Sequence, residues 1–276
     1  KDWKGIGALN HKDAAAWTED WREKLAKNDF LATTWPKEYG GAGLTAIESL
    51  VIAEEFALSG VPGGGPNDGF GIGMLGNTIL AVGTEEQKKH FLPRVLSGED
   101  RWCQGYSEPS AGSDLGNLGC RAVLDGDEWV INGQKIWTSA GHLANHIFVL
   151  ARTSPDDVKH RGITFLLVDM RQKGVEVRPI KMMSGDSEFN EVFFTDARCP
   201  KENVVGEING GWMVAMTLLG NERGAGAVVS GISFRGELDK LTRLAKDKGL
   251  TKDPHIRQRL SQAHIKVEIM RFLGYR

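Results

Sequence analysis

A chain of 276 residues, 41% apolar and 25% charged, can fill one large core or two modest ones, and its composition is that of an ordinary soluble globular protein. A formal net charge of −2 leaves no polyanion-binding footprint, which argues against nucleic acid, and no apolar run reaches the roughly 18 residues that a membrane span needs. Three widely spaced cysteines, Cys103, Cys120 and Cys199, lack metal-ligand spacing and suit a reducing compartment, here read as the cytoplasm. The chain opens at Lys1 with no signal-peptide pattern, and Arg276 interrupts a helical pattern without a stop signal, so residues are expected to be missing at both ends.

Helical periodicity runs to about residue 100. Ile47, Leu50, Val51 and Leu58 fall on one predicted helix face, and Thr84-Glu85-Glu86-Gln87 has the form of a capping box ahead of Phe91, Leu92, Val95 and Leu96. The Gly- and Pro-rich run from Gly60 to Gly69 excludes regular structure between them. Gly71-Ile72-Gly73-Met74-Leu75-Gly76 matches the dinucleotide-binding pattern, but no strand feeds it and no acidic residue ends a second strand beyond it. The other reading is that small residues let a helix pack closely or leave room beside a ligand. Lys88-Lys89-His90 reads as a solvated helix face.

The period then changes. Arg121 to Leu124 and Glu128 to Ile131 bracket an Asp125-Gly126-Asp127 turn, and Asn132-Gly133 is predicted to form another tight turn. Short apolar, β-branched runs follow at Ile147 to Ala151, Ile163 to Val168, Val175 to Ile180 and Glu191 to Phe194, suggesting a small β-barrel or sandwich. From Gly211 helical spacing returns. Trp212, Met213, Met216, Leu219 and Arg223 line one face of a helix predicted to run to about Leu244, and a second helix after Lys252-Asp253-Pro254 carries Ile256, Leu260, Ile265, Ile269 and Leu273. The fold class is therefore α+β and multidomain, divided at residues 1–101, 102–207 and 208–276.

Two polar stretches could carry chemistry. Gln104 to Asp114 combines short hydroxyls, small residues and a proline, so its backbone can form a tight loop whose amides bind phosphate or a polar heterocycle. Composition alone equally permits a surface loop. Lys135-Ile136-Trp137-Thr138-Ser139-Ala140-Gly141-His142 places an indole beside two hydroxyls, which a flat aromatic cofactor requires; a core tryptophan next to a loop is the alternative.

Taken together, residues 102–114 and Ile131 to Ser139 closely resemble the acyl-CoA dehydrogenase family. Supporting matches are Trp35-Pro36-Lys37-Glu38-Tyr39-Gly40-Gly41, Gln87 to Gly98 with Leu92-Pro93, Pro200-Lys201-Glu202-Asn203 before Gly206, Gly210-Gly211-Trp212, and Asn221-Glu222-Arg223. The resemblance covers nearly the whole chain in order. It implies a helical N-terminal domain, a middle β-barrel domain and a C-terminal helical-bundle domain, incomplete here, with FAD between them and an acyl-CoA on one flavin face. It places Tyr106, Ser107, Gly112 and Ser113 on the flavin and the inner end of the substrate, with Ser113 reaching toward CoA. It sets Trp137, Thr138 and Ser139 on the opposite flavin face near N5, Ser139 standing where many relatives have threonine.

The implied reaction is α,β-dehydrogenation to the trans-2-enoyl-CoA, with electrons passed to an electron-transfer flavoprotein. A thioester α-proton is very weakly acidic, so a carboxylate of raised pKa must remove it while the carbonyl oxygen is stabilised. Most relatives place that glutamate further along the C-terminal domain than this chain extends. A minority, of isovaleryl and long-chain type, carry it before an arginine on the first helix after the β domain, which makes Glu222 the base and Arg223 the group that orients it or the substrate. The alternative is that Glu222 only pairs with a basic neighbour.

The segment from Lys246 to Pro254 lacks the family's Arg-x-x-Phe-Gly, which puts FAD contacts across a homodimer in doubt. Divergent bacterial relatives acting on steroid side chains share this feature and pair a catalytic with a degenerate subunit. Homo- and hetero-oligomers both stay open, as do an acyl-CoA oxidase of the same fold and a non-catalytic subunit of a heteromeric dehydrogenase. Glycines between Gly60 and Gly76 hint at room for a bulky or branched acyl chain.

Overall fold

The computed structural model describes residues 8–155, 159–222 and 226–275. Helix α1 (His11–Lys27) starts where Asn10 Oδ1 accepts from the Asp13 N–H at 3.0 Å. Helix α2 (Ala46–Ser59) opens with a capping box, Thr45 with Glu48, and ends on left-handed Gly60. The glycine-rich loop leads into a π-helical segment, Gly69–Gly76, which continues as α3 (Asn77–Val82). Helix α4 (Glu85–Ser97) has the predicted capping box: the Gln87 N–H donates to Thr84 Oγ1 at 3.2 Å and the Thr84 N–H donates to Gln87 Oε1 at 3.1 Å. Satisfying both orphan donors at once defines where the helix begins.

Phe91, Leu92 and Val95 of α4 are buried in one core with Trp35, Leu75 and Ile79. The apolar face read on α2 is not: Ile47 is 75% exposed, and Val51 and Leu58 are also exposed. Periodicity identifies an apolar face but not whether anything covers it. The glycine pattern after Asp68 belongs to the π-helical segment packed in this core, so no strand-turn-helix for a dinucleotide exists there.

The middle of the chain forms one sheet, from β1 (Trp102–Gly105), β2 (Arg121–Asp125), β3 (Glu128–Ser139), β4 (His146–Arg152), β5 (Ile163–Asp169), β6 (Val175–Pro179), β7 (Phe189–Pro200) and β8 (Val204–Val205). Their order is β6-β7-β3-β2-β4-β5-β8, with β1 parallel to β4. The sheet curls so that β5 returns toward β7, where Cys199 Sγ donates to Leu167 O at 3.2 Å. Strand alternation serves two cores. Ile147, Val149, Leu166 and Val168 face the interior of the curl, while Phe148, Leu150, Phe165 and Leu167 face the helices. A continuous apolar run is the signature of such doubly buried strands.

The Asp125-Gly126-Asp127 hairpin forms as predicted, but Asn132-Gly133 is no turn. Both residues lie inside β3, where pairing with β7 slips between Ile131 and Gly133. A Cβ on Gly133 would lie 2.7 Å from the Cys120 Cα, so the glycine serves a close approach of backbones. The Asn132 side chain is spent across the strands on Asp196, donating at 2.9 Å to its Oδ1 and accepting its N–H at 3.0 Å.

Helix α5 (Gly211–Glu222) packs on β5 through Val214, Ala215 and Leu218. The predicted face is right in part: Trp212 and Leu219 lean on this core, whereas Met213 is 70% exposed and Met216 is also exposed, so the covered stripe is shifted toward Val214, Ala215 and Leu218. Helix α6 (Gly226–Asp247) follows as a separately bounded element, and the residues through which a single helix was predicted to continue, 223–225, lie outside those described. Helix α7 (Pro254–Tyr275) runs antiparallel to α6, with Arg235 Nη1 donating to Glu268 Oε1. Leu238, Ala245 and Val267 are buried in this hairpin, whereas Ile265, Ile269 and Leu273 are exposed. Among the described residues no helix is long and apolar enough to cross a membrane.

Candidate active site

Where β1 ends at Gly105, the chain enters the polar loop. The Tyr106 ring is buried edge-on against Phe148 and Phe165, at centroid distances of 5.9 and 6.4 Å. Glu108 and Ala111 exchange backbone hydrogen bonds at 3.0 and 3.1 Å, which leaves Pro109 and Ser110 at the tip of a tight turn. Ser107 is half-buried, while Gly112 and Ser113 are exposed. A Cβ at Gly112 would meet nothing within 4 Å, so the loop's outer surface is open.

The second stretch is the end of β3. Its pairing with β7 slips again between Lys135 and Thr138, and Trp137, inside that slip, has φ of +60°. An aromatic residue in the left-handed region is a genuine outlier, costing about 1–3 kcal/mol, and persists only where the surroundings over-determine it. The indole is 58% exposed, touched edge-on by Phe189 at 5.9 Å. Thr138 points inward: its Oγ1 is buried with no partner among the described residues, and its carbonyl accepts from Asn190 Nδ2 at 2.9 Å. Ser139 is half-buried, and Ala140 is again left-handed at +51°.

The fold brings the two stretches together. The Ile136 N–H donates to Ser107 O at 2.9 Å, so loop and bulge are neighbours along one sheet end. Asn67, from the glycine-rich loop, is buried and donates through Nδ2 to Trp102 O at 3.0 Å and Ala140 O at 3.3 Å, tying the helical domain to this end. Backbone Glu222 is the last residue of α5, one residue after Asn221, whose Nδ2 donates to Thr78 Oγ1 at 3.4 Å. The Glu222 side chain and the whole of Arg223 lie outside the described residues.

Sequence reasoning missed Asn67, Glu108 and Lys135. Lys135 is wholly buried and pairs with Glu108 at 2.7 Å. A signal existed: Trp129 and Ile131 are the inward residues of β3, and counting by two reaches Lys135, a charge on the inner face that requires a carboxylate. The cysteines offer no competing nucleophile. Burial pushes the Cys120 thiol up to about 11, against the opposing pull of Lys135, and burial likewise raises Cys103 and Cys199.

The arrangement can seat a planar ring. An exposed indole held in a costly backbone conformation supplies a flat apolar face, half-buried Ser139 follows two residues on, and the open polar loop adjoins the bulge. The chain matches the acyl-CoA dehydrogenase N-terminal domain over residues 7–99, the middle domain over 103–197 and the C-terminal domain over 209–276. It belongs to the acyl-CoA dehydrogenase family and is an oxidoreductase.

Among its relatives, the acyl-CoA dehydrogenase IpdE1 of Mycobacterium tuberculosis (strain ATCC 25618 / H37Rv) is 43% identical over 269 residues, which cover 97% of this chain and 69% of that protein. A solved chain titled Tcur3481-Tcur3483 steroid ACAD is 36% identical with a TM-score of 0.83, covering 99% of this chain and 67% of that one. A chain of the ChsE4-ChsE5 complex from Mycobacterium tuberculosis is also 36% identical, with a TM-score of 0.80 over 96% of this chain and 70% of its own.

Proposed function

We propose that this protein converts an acyl-CoA thioester to the trans-2-enoyl-CoA with FAD seated on Trp137, and passes the electrons to an electron-transfer flavoprotein. The observation that carries the reading is the strained, exposed Trp137 beside the polar loop, joined to it by the Ile136–Ser107 hydrogen bond. When bound, FAD supplies the acceptor for the hydride that leaves the β carbon. The chain's own residues do the rest. Trp137 and Ser139 hold one flavin face and its N5 edge, with Thr138 between them contributing backbone only, its side chain being turned inward; Tyr106, Ser107, Gly112 and Ser113 shape the other, with Ser113 toward CoA. Glu222 takes the α-proton and Arg223 orients it or the thioester. In this reading the domains divide at residues 1–101, 102–207 and 208–276, and the enzyme is cytoplasmic.

A bulky acyl group, such as a steroid side chain, and assembly with a second, related subunit form the finer reading. Two observations support it. The solved chains at 36% identity carry two-protein titles, one naming a steroid ACAD, and Gly69 and Gly73 leave open space where side chains would stand. The test is an absorption titration of the full-length protein, with any partner subunit, against a series of acyl-CoAs. Bleaching of the flavin band by one chain type is expected, and Glu222→Gln should abolish bleaching and turnover while the flavin stays bound. Undiminished turnover in that variant removes Glu222 as the base, and colourless wild-type protein removes the flavin. Hydrogen peroxide formed in step with aerobic turnover would replace the flavoprotein acceptor with O₂.

A further inference from the structure

We propose that Lys135 and Glu108 are positioning residues of the flavin site, a buried ion pair that fixes the polar loop against the Trp137 bulge. The proposal rests on the reading of that bulge as the flavin face. Both side chains are out of water, 0% and 6% exposed, with Nζ to Oε1 at 2.7 Å. Desolvating two charges is costly, and a well-packed apolar pair of the same volume would stabilise a fold at least as well, so core packing does not explain the pair.

Its hydrogen bonds do. Lys135 Nζ also donates to Tyr106 O at 3.1 Å. The Glu108 carboxylate accepts the Cys120 N–H on Oε1 at 2.9 Å and the Gly119 N–H on Oε2 at 2.6 Å. One pair thus joins three separate pieces of chain: the loop after β1, the approach to β2 and the distal end of β3. Lys135 is the last residue paired in register with β7 before the slip that holds Trp137 at φ +60°. Tyr106, whose carbonyl the ammonium holds, immediately precedes Ser107, whose carbonyl accepts from Ile136. The cation therefore sits between the two flavin-facing stretches and supplies the external constraint that a left-handed tryptophan needs. Apolar side chains could fill the space but could not satisfy the Tyr106 carbonyl or the two N–H groups.

The test uses the full-length protein with FAD as the probe. Lys135→Met and Glu108→Gln are made singly and together, and Lys135→Arg is added as the variant that keeps a cation and its donors. Each is measured by thermal midpoint, by FAD dissociation constant and by the visible flavin band. Either single change strands a buried charge and should lower midpoint and affinity together. The charge-free double variant should recover much of the midpoint lost by the single variants yet bind FAD at least about tenfold more weakly than wild type, with a shifted band. Lys135→Arg should hold FAD to within about threefold of wild type. A double variant that regains FAD affinity with its midpoint shows the pair to be structural only and overturns the proposal. Should the double variant not fold, the single variants decide, measured well below their midpoints: weakened FAD with a shifted band in the folded protein supports positioning, and wild-type affinity and band overturn it. Failure of the underlying reading looks different, since wild type would then bind no FAD or Trp137→Ala would leave its affinity unaltered.

Discussion

Gly76→Ala should be among the most damaging single-methyl changes in the protein. A Cβ at this position would lie 2.0 Å from Trp35 Cζ2, 2.5 Å from Cη2 and 3.1 Å from Gly71 O. Trp35 has nowhere to go: it is 1% exposed, and its Nε1 donates to Asn77 Oδ1 at 2.8 Å. Overpacking of a closed core costs about 1–3 kcal/mol, and dislodging the indole from Asn77 adds the roughly 1 kcal/mol of a hydrogen bond. The sum, about 2–4 kcal/mol, corresponds to a melting midpoint lower by roughly 4–15 °C in a domain of this size. Gly73→Ala, three residues earlier in the same segment, is the internal control, because nothing lies within 4 Å of its added Cβ. It should leave the midpoint within about 2 °C of wild type or raise it slightly, by the ordinary gain of alanine over glycine in a helix. Thermal melts followed by circular dichroism, with urea titration as a second measure, read both variants. Equal midpoints for the two would refute the claim that Gly76 serves close packing against Trp35.

Two further predictions follow from the same geometry. Gly133→Ala should destabilise by about 2 kcal/mol or more, since its Cβ would lie 2.7 Å from the Cys120 Cα at a φ of +151°; an unchanged urea midpoint would show that the bulge can relax. His146 is buried against Trp102, with Asp100 and Asp169 facing it and Arg94 and Arg171 behind them; burial holds its imidazole below the ordinary value despite the pull of both carboxylates. Its folded pKa is thus below the unfolded value of about 6.5, so the unfolded chain binds more protons, and stability present above that pH is lost as pH falls through it. The melting midpoint should therefore drop between pH 7.5 and 5.5, with a shallower slope in His146→Gln; parallel slopes would acquit His146.

Much of this architecture was legible because hydrophobic period and turn chemistry are local properties. The Thr84 capping box, the Asp125-Gly126-Asp127 hairpin and the doubly buried runs of β4 and β5 could all be read from neighbouring residues. Asn132-Gly133 misled because its turn propensity is equally local, whereas the bulge that claims it depends on Cys120, a residue of another strand approach. The α2 and α5 faces misled for a related reason: period defines a stripe, and tertiary seating decides which stripe is covered. At the site, the two polar stretches stood out by composition, but their adjacency rests on the Ile136–Ser107 hydrogen bond and on the bonds of Lys135 to Glu108 and Tyr106 O, partners across the chain that no local pattern names. The positive φ of Trp137 has no signature in a tryptophan at all, and Lys135 was overlooked although strand parity pointed inward.

Strands β4 and β5 give one face to the sheet interior and the other to the helices, with Phe148 and Phe165 stacked at 5.8 Å on the helical side. Two hydrophobic reservoirs therefore share a common wall, and neither can lose its order without stripping the other's lining. Unfolding should accordingly be a joint event across the sheet and the helices that lean on it, and the β segment cut free would present Phe148, Leu150, Phe165 and Leu167 to water as an adhesive strip.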